Sequence, residues 1–411
     1  MTLIRTNPAY RLLFSASAAS NLADGIAVLA LPWLATLVTR DPALIALVAF
    51  ATRLPWFLFS IPVGVLTDRA DRRRLMAQSD LLRMLLSMGI VALIAAAPEL
   101  PLAEETPKYV LGLAAIAFML GCAEVVRDNA AQTMLPSIVD KAQLETANGQ
   151  IWSVEQVMGA FVGPPLAGFL IALAVPGPFL LNTVAFGLAA WLVWMIAMPP
   201  RAAPLRQGWI TEMAEGWRWL RGNRMLLRVA IMLGLINAMG AAMMTIQVLF
   251  AQEILGLGAT GYGLLLTAGA AGGVIGGIWG PAQIARIGGQ RAVWLALALM
   301  PVPALMIALG SNTLLVGLAL FVEMLAGIAW NIVTVSWRQR LIPDALLGRV
   351  NALYRFFAWG MIPVGALVGG WIVSRAEPSL GREMALRLPY ALSAVGFTVM
   401  AIYGRARLRL D

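Results

Sequence analysis

The chain has 411 residues, of which 60% are apolar and only 12% are charged, whereas soluble domains average about 45–50% and 25%. Its formal charge is +9, with one cysteine and no histidine, so an internal disulfide, the commonest metal ligand and the usual near-neutral proton carrier are all lacking. These values exclude a soluble domain and predict a polytopic membrane protein with no metal and no cofactor.

Twelve apolar runs follow one another along the chain, each long enough to cross about 30 Å of hydrocarbon at about 1.5 Å per residue. The first six are residues 12–38, 43–66, 75–97, 109–128, 148–174 and 177–198. The second six are residues 227–251, 260–285, 291–310, 313–336, 350–374 and 388–404. The sequence therefore predicts an all-α membrane protein in which twelve transmembrane helices form two six-helix bundles, over residues 1–198 and 227–411.

The linker between the two halves, residues 199–226, predicts an amphipathic helix. Ile210, Met213, Trp217 and Leu220 fall on one face at helical spacing, with arginines beside them. Such a helix is typical of a segment at the cytoplasmic membrane surface, and a solvated hinge helix is the alternative.

Positive charge is unevenly distributed between the two sets of loops. Most of the 30 lysines and arginines lie on the side of the loop that follows the second run, which predicts that this side and both termini are cytoplasmic. Because these arginines are scattered over short loops and do not form one basic face, a nucleic-acid partner is not expected. The first run is too long for a signal-peptide core and is predicted to be a retained span, so we expect a multi-pass protein of a bacterial inner membrane.

The loop after the second run is the densest in charge and contains the stretch 64–74, GVLTDRADRRR. Membrane topology alone accounts for the arginines of a cytoplasmic loop, without any further function. The stretch also resembles the loop signature between the second and third helices of the major facilitator superfamily. That resemblance implies that Gly64, Asp68, Arg69 and Arg72 form a cytoplasmic latch between the two halves, although Asp71 stands where the family has a second glycine.

The fifth run contains Gly159, Gly163, Pro164 and Gly168. Glycines four residues apart give a helix a flat face for close packing, and prolines remove backbone donors and bend the helix. The spacing resembles the antiporter signature of the same superfamily, while a plain packing face is the alternative interpretation.

Ionisable residues inside spans are the sharpest functional signal, because each costs about 2.5–3.5 kcal/mol on insertion scales unless it is paired or hydrated. Asp24, Arg53 and Glu323 are predicted to lie near mid-membrane. Arg53 is the expected charge partner of Asp24, and Glu323 has no evident partner. A carboxylate without a cation in an apolar site favours its protonated form, so Asp24 and Glu323 are the candidates for proton coupling.

A second charged group is predicted nearer the cytoplasmic side, where a structural salt-bridge network is favoured over substrate contact. Its members are Asp80, Arg83, Glu124, Arg127, Asp128 and Glu155.

Several aromatic residues in the spans are candidates for substrate contact, although aromatic residues at span ends also anchor helices at the membrane interface. The candidates are Trp33, Trp56, Phe57 and Trp330, together with Asn331 beside the last of them. Trp330 is the first choice.

Within the superfamily, four stretches resemble bacterial exporters of the enterobactin-exporter and macrolide-efflux branch. They are residues 21–25, 53–56, 68–74 and 128–136. The resemblance implies expulsion of drugs, siderophores or other amphiphiles, generally coupled to the proton gradient. Many drug antiporters carry an arginine midway along the fourth span, whereas the predicted boundaries put Arg127 at the cytoplasmic end.

The sequence thus favours a secondary transporter that exports an amphiphilic small molecule by alternating access, with protons as the coupling ion. Lipid or lysolipid transport and a non-transporting membrane sensor or scaffold are the alternatives. An enzyme is not expected, because the sequence has no nucleophile and base pair, and no Walker motif indicates direct use of ATP. The expected partners are the substrate, protons and the lipid bilayer, and the fold needs only a monomer.

Overall fold

The computed structural model describes residues 2–102, 107–140, 143–197 and 209–409, and over these ranges the chain forms helices and no strand. Within these ranges, twelve segments are long and apolar enough to cross a membrane. The prediction of an all-α membrane protein with twelve spans is therefore confirmed.

The chain divides into two compact units. Unit 1 comprises the described residues of Met1–Arg40, Ala51–Gln207 and Gly258–Leu264, and unit 2 those of Asp41–Phe50, Gly208–Leu257 and Leu265–Asp411.

Eight helices begin in the N-terminal half of the chain. They are α1 (Thr2–Thr6), α2 (Pro8–Val38), α3 (Pro42–Arg69), α4 (Arg72–Ala95), α5 (Pro107–Ile138), α6 (Leu144–Gln156), α7 (Gly163–Leu173) and α8 (Gly177–Trp194), with a π-helical turn, Val157–Val162, between α6 and α7. The remaining helices are α9 (Trp209–Gly222), α10 (Arg224–Glu253), α11 (Ala259–Ile287), α12 (Gly289–Leu299), α13 (Pro301–Leu309), α14 (Thr313–Leu341), α15 (Asp344–Leu380) and α16 (Arg382–Arg407).

The fourth span extends well beyond its predicted end at residue 128. Helix α5 continues to Ile138, so Arg127 lies inside the helix, about 17 Å before its end. The predicted end was wrong because hydropathy falls at the polar residues from Arg127 onwards, although the helix continues through them. These side chains are accommodated in the helix: Arg127 is buried, and the Asn129 side chain donates to the Val125 carbonyl at 2.8 Å.

The glycine and proline motif interrupts the fifth span. Pro164 and Pro165 have no N–H to donate to the helix carbonyls four residues earlier, and the π-helical turn lies directly before them. The wider turn absorbs the lost hydrogen bonds without ending the span. The ninth span is also interrupted at a proline, because α12 ends at Leu299 and α13 begins at Pro301.

The predicted linker helix is present as α9, and it belongs to unit 2. Leu220 is fully buried, and the Trp217 ring stacks on Phe357 of α15 with their centroids 6.0 Å apart. Leu220 thus packs on the protein, whereas Trp217 keeps 39% of its surface exposed, and the location of this helix at the membrane surface stays a prediction. The side chains of Ile210 and Met213 lie outside the described residues.

Candidate functional site

Asp24 of α2 forms an ion pair with Arg83 of α4, in which Arg83 Nη2 donates to Asp24 Oδ1. The predicted pairing of Asp24 with Arg53 was therefore wrong. Asp24 and Arg83 each lie within about one residue of the middle of their helices, so they meet at the same depth. The Arg83 side chain is 2% exposed and that of Asp24 is 27% exposed, so the carboxylate is the accessible end of the pair.

Asp80, one turn before Arg83 on α4, is fully buried. Its Oδ1 atom accepts a hydrogen bond from Ser20 Oγ at 3.3 Å, and it lies 3.6 Å from Arg83 Nη1 and 3.8 Å from Arg127 Nε. Its Oδ2 atom is buried and has no hydrogen bond to the described residues. Asp80 is thus the point at which α2, α4 and α5 meet through polar side chains.

Arg127 is the residue of α5 that contacts Asp80 and its polar neighbours. Its Nη1 atom lies 3.2 Å from Asp128 Oδ1, and its Nη2 atom donates to Ser17 Oγ at 3.4 Å. The charge of Glu155, on α6, also acts on this guanidinium. Because α5 is longer than predicted, this arginine lies inside the helix, as the 21st of its 32 residues, and not at its end.

Arg53 acts on Glu124 of α5, not on Asp24. Arg53 and Arg83 are the cations whose charges act on Glu124. The Arg83 guanidinium also lies over the Phe186 ring of α8, with its Cζ atom 4.1 Å from the ring centroid. Phe186 is buried, so it covers one face of the cation with apolar surface.

These side chains form one group, which we call the unit 1 charge cluster. It contains five carboxylates and three guanidiniums: Asp24, Asp80, Glu124, Asp128 and Glu155, with Arg53, Arg83 and Arg127. The structure thus joins Asp24 to the residues that sequence analysis kept apart as a network nearer the cytoplasm. Because Arg83 is at the middle of its helix, the cluster extends to mid-span depth. Acidic groups outnumber cations, so complete ionisation would leave excess negative charge inside the helices.

Glu323 has different surroundings on α14 of unit 2. It shares one helix face with Ala319, Ala326 and Trp330, which are all at most 1% exposed. Glu323 is itself half-buried, and among the described residues no hydrogen bond or ion pair involves its carboxylate. It is a carboxylate in apolar surroundings with no cation beside it.

The aromatic residues predicted to contact the substrate differ in solvent exposure. Trp330 is 1% exposed, so in this conformation it packs in the interior of unit 2 and has no surface to offer a ligand, contrary to its selection as first choice. Asn331 is exposed, because it lies on the next face of the helix. Trp56 and Phe57 are half-buried, and Trp33 stacks on Tyr262 with centroids 6.3 Å apart.

The charged loop ties α4 to α5. Arg72 is buried, and its Nη1 atom donates to the Thr133 carbonyl and to Ser137 Oγ. Asp71, which replaces the family glycine, caps α4 by accepting from the Arg74 backbone N–H at 3.2 Å. A side chain at Gly64 would meet no neighbour within 4 Å. The side chains of the other two predicted latch residues, Asp68 and Arg69, lie outside the described residues.

The glycine motif packs against the helix that carries Asp24. A Cβ atom built on Gly163 would lie 2.5 Å from the Gly25 Cα atom, and one built on Gly25 would lie 2.7 Å from the Gly159 Cα atom. Further along, one built on Gly168 would lie 3.0 Å from Thr260 Cα. Gly25 follows Asp24 directly, so this contact fixes the position of the carboxylate.

Four residues of this site were not predicted from the sequence: Ser17, Ser20, Gly25 and Phe186. The serines carried a signal, because Ser17, Ser20 and Asp24 are spaced by three and four residues and form a polar stripe on an otherwise apolar helix. Nothing in the sequence distinguishes Phe186 from other apolar residues of α8.

The sequence is similar to one known protein family and to several curated proteins. The family profile described as "transmembrane secretion effector" matches residues 4–404. Among curated relatives, the multidrug efflux pump Tap of Mycolicibacterium fortuitum is 27% identical over 409 residues, covering 96% of each chain. The enterobactin exporter EntS of Citrobacter koseri is 25% identical over 425 residues, covering 99% of this chain and 94% of that one.

Solved structures share the fold. A mutant of the nucleoside transporter NupG matches with a TM-score of 0.78 at 12% identity, covering 96% of this chain and 99% of that one. A bacterial homologue of the iron transporter ferroportin, in an inward-facing state, matches with a TM-score of 0.70 at 16% identity, covering 96% and 98%. The predicted major facilitator fold is confirmed, and at these identities the likeness concerns the fold alone.

Proposed function

The chain belongs to the transmembrane secretion effector family of major facilitator transporters, and from that membership we propose that it exports an amphiphilic small molecule in exchange for protons. The relatives named as multidrug, enterobactin and macrolide efflux pumps support the direction and the substrate class. The protein works as a monomer in a bacterial inner membrane, with both termini cytoplasmic. Transport proceeds by alternating access in a chain of two six-helix bundles, residues 1–198 and 227–411, with the linker 199–226 between them in sequence.

Proton coupling rests on one observation above the others: the spans hold carboxylates that no cation neutralises. Glu323 has no charged partner among the described residues, and the unit 1 charge cluster has two more acids than arginines. An unneutralised charge in a low-dielectric interior costs several kcal/mol, so such groups bind protons readily. Asp24 and Glu323 remain the proposed coupling residues, and the two differ in a testable way because Asp24 alone has an arginine partner.

Substrate contact is assigned to the candidates that retain accessible surface. Trp33, Trp56 and Phe57 offer aromatic surface, and Asn331 offers an amide for hydrogen bonding. Flat apolar rings with few polar groups suit a ligand that is largely apolar, as expected for an amphiphile. Trp330 can join this set only in a conformation that uncovers it.

The proposal is tested by reconstituting the protein in liposomes whose lumen is more acidic than the bath. Protons leaving the lumen should drive accumulation of a cationic dye or a macrolide from a test panel, and a protonophore should abolish it. Glu323→Gln should lose this accumulation while keeping wild-type thermal stability, because no partner of Glu323 is left unpaired. Asp24→Asn should lose both, because Arg83 is deprived of its hydrogen-bonding carboxylate.

Glu99→Gln is the matched control, since Glu99 is exposed outside the spans. It should accumulate substrate like the wild type. Accumulation that persists in both Asp24→Asn and Glu323→Gln would refute their assignment as coupling residues. Failure of the wild type to move any member of the panel would favour the lipid-transport or sensor alternatives.

A further inference from the structure

The hydrogen bonding around Asp80 is uneven. Its Oδ1 atom receives one hydrogen bond, from Ser20 Oγ at 3.3 Å, while its Oδ2 atom is buried without a donor among the described residues. A buried carboxylate normally accepts hydrogen bonds at both oxygens, because an unsatisfied charged oxygen loses its hydration without replacement. An unpaired Oδ2 costs less in a neutral carboxylic acid than in a charged carboxylate, so the observed pattern favours the protonated form.

Both neighbouring arginines direct their hydrogen bonds away from Asp80. Arg83 donates to Asp24 and to Ser20, and Arg127 donates to Asp128 and to Ser17. The distances from Asp80 Oδ1 to the two guanidiniums, 3.6 and 3.8 Å, exceed those of charge-assisted hydrogen bonds. Each arginine therefore donates a hydrogen bond to a carboxylate other than Asp80.

The charge balance of the surroundings points the same way. Arg83, Arg127 and Asp128 act on Asp80 directly. Four elements besides α4 contribute to the cluster that contains it, and acids outnumber cations: Asp24 from α2, Arg53 from α3, Glu124, Arg127 and Asp128 from α5, and Glu155 from α6, with Arg83 from α4 itself. Neutralising Asp80 reduces the excess negative charge of the cluster at its most deeply buried member.

We propose that Asp80 is a proton-binding site and carries its proton on Oδ2 in the conformation described here. Arg83, which touches both Asp80 and Asp24, is the positioning residue that links the buried proton to the accessible carboxylate. This site deepens the proposed function and rests on it for the role of the proton in transport. Proton occupancy itself is a property of the resting protein and can be measured without any substrate.

The step associated with proton loss is balanced within the cluster. The O–H bond at Asp80 Oδ2 breaks, the proton passes to water, and the cluster gains one negative charge. The Arg83 Nη1 atom, now 3.6 Å from Asp80 Oδ1, moves to hydrogen-bonding distance of it. This movement weakens the hydrogen bond from Arg83 Nη2 to Asp24. Asp24, being partly exposed, is then free to receive a cationic group or a second proton.

Infrared spectroscopy of the reconstituted protein tests this inference directly. A protonated carboxyl gives a carbonyl band that ionised carboxylates lack, and its shift in D₂O identifies an exchangeable proton. In a Glu323→Gln background, which removes the other unpaired acid, we expect this band at neutral pH, its loss as pH rises, and its absence in Asp80→Asn. Persistence of the full band in Asp80→Asn, or no such band in the parent protein, would overturn the proposal.

Ser20→Ala and Ser17→Ala provide a comparison that does not depend on Asp80→Asn folding. Both serines are buried on α2, but only Ser20 donates to Asp80, whereas Ser17 accepts from Arg127. Ser20→Ala should shift the frequency of the band and its titration midpoint, and Ser17→Ala should leave both near the parent values. Equal effects of the two substitutions would contradict the assignment. A band at Asp80 in a protein that transports nothing would refute the proposed function and leave the proton site standing.

Discussion

Arg83→Gln is expected to lower the free energy of unfolding by about 3–5 kcal/mol, the typical cost of removing one partner from a buried ion pair. The substitution takes the hydrogen-bonding partner from Asp24 and one of two nearby cations from Asp80. It also removes the cation that lies over Phe186. Thermal unfolding of the detergent-purified protein, followed by tryptophan fluorescence, measures the loss.

Arg74→Gln is the matched control for this prediction. Arg74 lies 3.6 Å from Asp71, but the two side chains are 65% and 40% exposed, and exposed pairs contribute about 0–1 kcal/mol. The control should therefore unfold close to the wild-type temperature. The double variant Asp24→Asn, Arg83→Gln should recover part of the loss, because it removes one of the unpaired acids. If Arg83→Gln were as stable as Arg74→Gln, the unit 1 charge cluster would not be an energetically coupled group.

Gly163→Ala is expected to destabilise the protein by about 1–3 kcal/mol, the usual cost of forcing extra volume into a packed interface. The new Cβ atom would lie 2.5 Å from Gly25 Cα and 2.8 Å from the Ile26 backbone nitrogen, and backbone atoms cannot move aside as a flexible side chain does. Relief requires separation of α2 from α7, which displaces the neighbouring Asp24. Transport should therefore fall together with thermal stability.

Gly159→Ala, in the same motif, separates this effect from a general intolerance of alanine. A Cβ atom there would meet only the Asn21 carbonyl oxygen, at 3.8 Å, which is an ordinary contact. We expect this variant to be as stable as the wild type or slightly more stable, since alanine favours helix over glycine. Equal behaviour of the two alanine variants would show that the motif does not act through the contact with Gly25.

The twelve spans and the two superfamily motifs could be predicted because hydropathy and glycine spacing are local properties of the sequence. Charge partners could not, since they depend on the depth and rotation of helices far apart in the chain. Asp24 and Arg53 are closer in sequence than Asp24 and Arg83, yet the latter two meet at mid-span. The fourth span was also predicted to end too early, because hydropathy counts polar residues as unfavourable even where neighbouring groups form hydrogen bonds with them.

The same limits explain the outcome for the aromatic candidates. Trp330 and Asn331 are neighbours in sequence but lie about 100° apart around the helix, so one is buried and the other exposed. Counting from Ala319 and Ala326 would have assigned Trp330 to the buried face. The lack of a cation near Glu323 was easier to anticipate, because the arginines within the predicted spans of the second half, Arg228, Arg291 and Arg355, all lie within five residues of a span end.

Proton movement driven by substrate alone tests the exchange mechanism most directly. Liposomes containing the protein and a pH-reporting dye are loaded with a permanently cationic substrate and diluted into substrate-free buffer of the same pH. Exchange predicts that the lumen acidifies as substrate leaves, that Glu99→Gln behaves like the wild type, and that Glu323→Gln gives no acidification. Substrate efflux at the wild-type rate with no more pH change than in protein-free liposomes would contradict proton-coupled export.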